Sequence, residues 1–152
     1  MEIIYFDTSA LAKWYLNEEN SGEVEKYIQE HGPVAISELT VVEMRSLLAR
    51  RRREHAIDSK MEARVFGVFD EDIHQKFLSC HPLPENLTEG AANLISLLSD
   101  IPLRTLDSLH LTLAGEIAAD VMVTADRVMA AAAGAMGFSV VHFEPPKKPK
   151  RR

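Results

Sequence analysis

The sequence predicts an α/β fold in which a central, mainly parallel five-stranded sheet is covered by helices on both faces. Three observations lead there. Short, nearly continuous apolar runs at 3–6, 34–36 and 121–123 read as strands buried on both sides. The stretches between strands carry apolar residues at helical spacing. Strands separated by helices also need right-handed crossovers, which place successive strands parallel. At 152 residues the chain suits one ordinary domain with a real core.

Taken in order, residues 3–6 form the first strand, and Asp7-Thr8-Ser9 opens a short helix over 10–16. A second helix runs over 21–31, and Gly32-Pro33 ends it before the strand at 34–36. A helix over about 40–54 turns Val41, Met44 and Leu48 inward. The clearest amphipathic pattern covers 58–74, with Met61, Val65, Val68, Phe69 and Ile73 on one stripe. Residues 77–83 read as a strand stopped by Pro82 and Pro84. Leu87, Ala91, Leu94, Ile95 and Leu98 mark the next helix. Pro102 breaks the chain before a helix from Thr105 that faces Leu106, Leu109, Leu113 and Ile117 inward. The strand at 121–123, a helix over 126–136 closed by Gly137, and a strand over 139–143 complete the pattern.

Composition narrows the class. Hydrophobic residues make up 46% and charged residues 26% of the chain, a globular balance with no apolar run long enough to cross a bilayer. The first residues read as a core strand rather than a signal peptide, and the expected compartment is the cytoplasm. The single cysteine, Cys80, excludes an internal disulfide and makes a structural zinc site improbable. Net charge is -6, and the five basic residues after Pro146 hide a body at -11. Such a body argues against non-specific coating of nucleic acid, which needs Lys and Arg at the phosphates. It is compatible with a phosphodiester substrate where the acids surround a metal.

Four acids carry the functional reading: Asp7, Glu43, Asp107 and Asp126. Asp7 follows the first strand and Asp126 follows the strand at 121–123, so both belong at the carboxyl edge of the sheet, where ligands of open α/β folds collect. Helix N-capping explains each of these two equally well. Asp107 suits a first helical turn. Glu43 lies inside a helix, where capping is unavailable; pairing with Arg50 is its plain alternative. Carboxylates that converge in a low-dielectric cleft need a compensating cation, and a hard divalent ion on oxygen ligands meets that need. The chemistry such a site supports is hydrolysis of phosphate esters by a metal-activated water. No Ser-His-Asp set, Walker loop or dinucleotide glycine fingerprint occurs, and an aspartyl-phosphate phosphatase would show a second Asp two residues after Asp7.

The segments Tyr5-Phe6-Asp7-Thr8-Ser9-Ala10-Leu11, Leu103-Arg104-Thr105-Leu106-Asp107-Ser108-Leu109-His110-Leu111 and Val123-Thr124-Ala125-Asp126-Arg127 resemble the PIN domain, most closely the VapC-type toxins of toxin–antitoxin pairs. The resemblance runs from about Ile3 to Val141. It implies a three-layer α/β/α sandwich over residues 1–144; the basic tail, 145–152, is no feature of that family and is expected to be flexible because it carries nothing to pack. It also implies a Mg²⁺- or Mn²⁺-dependent endoribonuclease whose metal ligands are Asp7, Glu43, Asp107 and Asp126. Thr124, and Ser9 beside it, would assist through a hydroxyl. A homodimer and a separate antitoxin protein filling the acidic groove are implied in the same way, with no membrane association. Glu38 is the competing acid on the helix of Glu43.

Other residues have plainer readings. Arg50 to Arg53 point around the whole helix and cannot make one flat patch, so a solvated helix end suits them; Arg50 alone shares the side of Glu43. His110 reads first as a packed helix histidine, with orientation of Asp107 or a phosphate as its functional alternative, and Trp14 and Tyr15 read as core or dimer packing. The rival functions are a DNA-directed nuclease or phosphatase on the same metals, and a non-cleaving PIN-like module that acts through a repressor complex.

Overall fold

In the computed structural model, residues 1–144 are described; the expected basic tail at 145–152 lies outside the described residues. Five strands form one parallel sheet: β1 (Ile4–Phe6), β2 (Val34–Ser37), β3 (Leu78–His81), β4 (Val121–Thr124) and β5 (Ser139–His142). Their order across the sheet is β3-β2-β1-β4-β5. The chain therefore winds outward from β1 to one edge, then returns to the other side of β1 to lay down β4 and β5.

Strand alternation sorts the core into two layers. Ile4 and Phe6, Val34 and Ile36, Val121 and Val123 point to one face, where α1 (Thr8–Tyr15), α2 (Ser21–His31), α3 (Glu38–Arg53) and α4 (Ser59–His74) cover them. Tyr5, Ala35 and Met122 point to the other, beneath α5 (Leu87–Leu97), α6 (Thr105–Glu116) and α7 (Arg127–Ala135). Burial on both faces is why these strands read as unbroken apolar runs. The result is the predicted three-layer α/β/α sandwich, with four helices on one side and three on the other.

Local sequence sets the element ends. Asp7, Asp58 and Asp126 accept hydrogen bonds from the backbone N–H three residues on, and so cap α1, α4 and α7. Gly137, at φ 95°, turns the chain out of α7 in the left-handed region that favours glycine. At Gly90 a Cβ would meet Thr112 Cγ2 at 2.8 Å, so the absence of a side chain lets α5 lie close on α6.

Several expected inward residues face solvent instead. Met61 and Val68 on α4, Ile95 on α5 and Leu106 on α6 are exposed. The helical stripe is wider than the contact each helix makes: of that stripe α4 buries only Val65 and Phe69, and Leu106 sits in the first turn of α6. Cys80 is a free, half-buried residue of β3, as its plain reading requires. Trp14 and Tyr15 pack against the core, Tyr15 meeting Phe69 edge-on and donating to Asp72 Oδ2 at 2.6 Å.

Candidate active site

The point where strand order reverses lies between β1 and β4, and crevices of this kind are where open α/β sheets hold ligands. The parallel register pairs Phe6 with Val123, so the residues that follow the two strands emerge side by side; the Asp7 amide donates to the Val123 carbonyl at 3.0 Å. A cavity of about 560 Å³ opens here, and Asp7, Glu43, Asp107 and Asp126 all line it. Residues separated by more than a hundred positions thus share one cleft. Glu38 is exposed at the start of α3 and does not line it, which leaves Glu43 as the acid α3 contributes.

Asp7 is 3% exposed. Its Oδ1 accepts from Ser9 Oγ at 2.7 Å and the Ala10 amide at 3.0 Å, and its Oδ2 accepts from Thr124 Oγ1 at 2.5 Å. Burial pushes its carboxyl above the usual carboxylate range, while these three donors pull the other way. Thr124 also accepts from the Asp126 amide at 2.9 Å, and Ser9 accepts from the Ala125 amide at 3.0 Å. Two hydroxyls therefore lock the loop after β4 to the carboxylate after β1. Among the residues the resemblance singled out, Thr124 and Ser9 both touch Asp7.

Glu43 reaches the cleft from the interior of α3. Its Oε1 accepts from Thr8 Oγ1 at 2.9 Å and pairs with His110 Nε2 on α6. His110 is buried, and its Nδ1 lies 2.7 Å from Tyr5 Oη. The alternative partner Arg50 lines the cavity without bonding Glu43.

Asp107 and Asp126 make a second pair on the lining of the cleft. Asp107 accepts from the Arg104 amide at 3.3 Å at the start of α6, while Asp126 Oδ1 accepts from the Met129 amide at 2.9 Å. The Arg104 guanidinium spans them, at 2.9 Å from Asp126 and 3.5 Å from Asp107. The capping explanations for Asp7, Asp107 and Asp126 thus hold together with their place in the cleft.

Sequence reasoning missed Arg104 and Tyr5, and weighed His110 as an orienting residue for Asp107 or a phosphate but not as the partner of Glu43. Arg104 stands beside Asp107, and its forked charge next to a first-turn acid was the available signal. Tyr5 offered none, and its pairing with His110 could not be read locally, because it joins residues 105 positions apart.

No three Asp, Glu, His or Cys side chains among the described residues form a ready-made metal cage. The donor set nevertheless suits a hard divalent cation. All four carboxylates present oxygen, and against them the cavity wall sets two guanidiniums, Arg50 and Arg104. The acids outnumber the guanidiniums on this lining, and a divalent cation would offset the remaining negative charge. Arg104 already lies where a cation compensates Asp107 and Asp126.

The profile of the PIN domain matches residues 4–135. Among solved structures, the chain is similar to VapC20 of Mycobacterium tuberculosis, described as a sarcin-ricin loop cleaving toxin, at 16% identity and TM-score 0.68, covering 94% of this chain and 99% of that one. FitAcB of Neisseria gonorrhoeae aligns at 18% identity and TM-score 0.66, over 91% of this chain and 96% of its own. DNA-bound VapBC of Salmonella typhimurium aligns at 16% identity and TM-score 0.65, over 94% and 99%. At such identities the likeness is one of fold. No curated protein matches the sequence.

Proposed function

The chain belongs to the PIN-domain family, and from that premise we propose that it is a Mg²⁺- or Mn²⁺-dependent endoribonuclease, the toxin member of a toxin–antitoxin pair. The observation that carries the reading is the meeting of Asp7, Glu43, Asp107 and Asp126 in one open cleft at the reversal point of a parallel sheet. These four carboxylates would hold the ion. When bound, it supplies Lewis acidity toward phosphate oxygen and lowers the pKa of water.

The chain's own residues do the rest. Ser9, Ala10 and Thr124 hold the Asp7 carboxylate in one orientation, so little reorganisation is needed when phosphate arrives. The wall set by Asp107 and Asp126 is opened by its arginine: the two acid side chains are 12% and 23% exposed, close to Glu43 at 21%, but Arg104 is 75% exposed. Arg104 can therefore turn from the carboxylates toward a phosphate oxygen, and Arg50, on α3, also lines the cavity. No nucleophilic side chain is required.

RNA is the favoured substrate on the family resemblance, and the Mycobacterium tuberculosis neighbour, described as a sarcin-ricin loop cleaving toxin, supports that choice. A cognate antitoxin is supported by a structural neighbour from Klebsiella pneumoniae that is described as a toxin–antitoxin complex. A homodimer and a cytoplasmic setting belong to the same proposal; no helix among the described residues is long and apolar enough to cross a membrane. The test is cleavage of a structured RNA by the purified protein with Mn²⁺, abolished by chelator and by Asp7→Asn, with matched DNA left intact. Induction in cells should arrest growth, and the Asp7→Asn form should not. Equal arrest by both forms would sink the enzymatic reading in favour of a binding module, and equal cutting of DNA would sink the RNA assignment.

A further inference from the structure

Of the four cleft acids, Glu43 alone stands within a helix interior, and its side chain is the longest and most flexible. A glutamate there would ordinarily sample several rotamers. Here both of its hydrogen bonds fall on Oε1, from Thr8 and from His110, and Oε2 is left without a hydrogen bond among the described residues.

The histidine is itself held at both ends. His110 is 2% exposed, one helical turn after Asp107. A carboxylate can only accept, so Nε2 must carry the proton in its bond to Glu43. Nδ1 meets the Tyr5 hydroxyl at 2.7 Å, and that hydroxyl lies 3.0 Å from Ser37 Oγ. Tyr5 is fully buried in β1, and burial pushes its phenol far above the ordinary range, so the hydroxyl keeps its proton. Ser37 in turn is the N-cap of α3, its amide donating to Thr40 Oγ1 at 3.3 Å. The network thus leaves the first turn of α3, crosses β1 and α6, and returns to α3 at Glu43. Each member is fixed by a different element of the fold.

We infer that His110, oriented by Tyr5, is a positioning residue that fixes Glu43 Oε1 and presets Oε2 of that carboxylate for a divalent cation. The inference rests on the metal-nuclease reading of the cleft. Partners that orient a metal ligand from behind are worth about 10–100-fold in affinity.

Two measurements on the full-length protein test it. In the metal-free state, the Nε2 proton of His110 should give a slowly exchanging NMR resonance that Glu43→Ala removes; its absence in the unaltered protein overturns the anchor. Calorimetric titration with Mn²⁺ alone, without nucleic acid, then reads the role. His110→Ala should weaken binding by about 10–100-fold. His110→Gln, whose amide nitrogen reaches about as far as Nε2, should restore it to within roughly threefold. Tyr5→Phe keeps the ring and removes the hydroxyl, and should weaken binding by about three- to tenfold, the low end of such an effect. If His110→Ala does not fold by circular dichroism, the Gln and Phe variants decide. Equal Mn²⁺ affinity in His110→Ala and the unaltered protein overturns the positioning role alone. So does His110→Gln binding as poorly as His110→Ala, since lost packing would then explain both. An unaltered protein that shows the resonance but binds no Mn²⁺ overturns the metal reading of the cleft, and the inference with it.

Discussion

The two walls of the cleft are built on different principles. On one, Asp7 and Glu43 are tied into hydroxyl and imidazole donors supplied by β4, α1 and α6, and Asp7 is almost wholly buried. On the other, Asp107 and Asp126 cap helices and share an exposed arginine. The first wall is set when the protein folds. The second is balanced by a side chain free to leave. Buried charge that is fully hydrogen-bonded resists rearrangement, whereas an exposed ion pair contributes little and exchanges readily. A site that must hold its ligands still and also admit a charged substrate can use one wall of each kind.

The largest effect expected from breaking this contrast is at Asp7. Asp7→Asn should lower RNA cleavage by roughly 10²–10³-fold, the cost of removing one charge-stabilising group. It should also stabilise the protein. Burial is the main reason the Asp7 carboxyl lies above its ordinary range. A carboxyl whose folded pKa exceeds its unfolded value binds its proton more readily when folded, so stability falls as pH rises between the two values. The Asn variant, which still caps α1, should therefore melt higher than the unaltered protein at pH 7. That advantage should vanish below about pH 3.9, where the unfolded carboxyl is protonated as well. Thermal melts across pH in the absence of metal read this directly, and a lower melting temperature at pH 7 would contradict it.

Thr124→Val tests the link between the walls, because one hydroxyl serves both Asp7 and the Asp126 amide. Removing it leaves a buried carboxylate and a backbone donor short of partners. We expect a loss of about 1–3 kcal/mol in urea unfolding and about a 10–100-fold weaker response to Mn²⁺ in cleavage assays.

Arg104→Ala should do the opposite on the open wall. With its side chain 75% exposed, its ion pairs are worth no more than about 1 kcal/mol, and the melting temperature should hardly move. Mn²⁺ should bind about two- to fivefold tighter once the competing guanidinium is gone, as at most 1 kcal/mol of competition allows. Unchanged or weaker Mn²⁺ binding would mean that Arg104 does not compete for that position. The smallest effect belongs to Arg50→Ala: about a two- to threefold rise in KM for RNA at low salt with kcat unchanged, fading as added salt screens the charge.

Much of this was legible in the chain. The buried runs at 3–6 and 121–123 gave strands at those places because residues buried on both faces leave no polar alternation. Helices over 21–31 and 105–116 began and ended within a residue or two of their sequence signals. The exposed Met61, Val68, Ile95 and Leu106 were misread because periodicity reports a helix's apolar side but not how much of that side a neighbour covers. Asp7 and Asp126 could be assigned to one edge because both follow strands of a parallel sheet, and chain direction alone fixes the edge.

Residue order by itself therefore determined the alternating elements, the parallel sheet and which acids follow its strands, since these depend on local pattern and chain direction. Only the tertiary structure decided that β4 returns beside β1, which brings Thr124 onto Asp7. It also decided that α6 lies where His110 meets both Tyr5 and Glu43, and that Arg104 closes the charge balance of the open wall. Those contacts join residues up to 117 positions apart. They depend on which helix packs over which strand, and no local spacing encodes that choice.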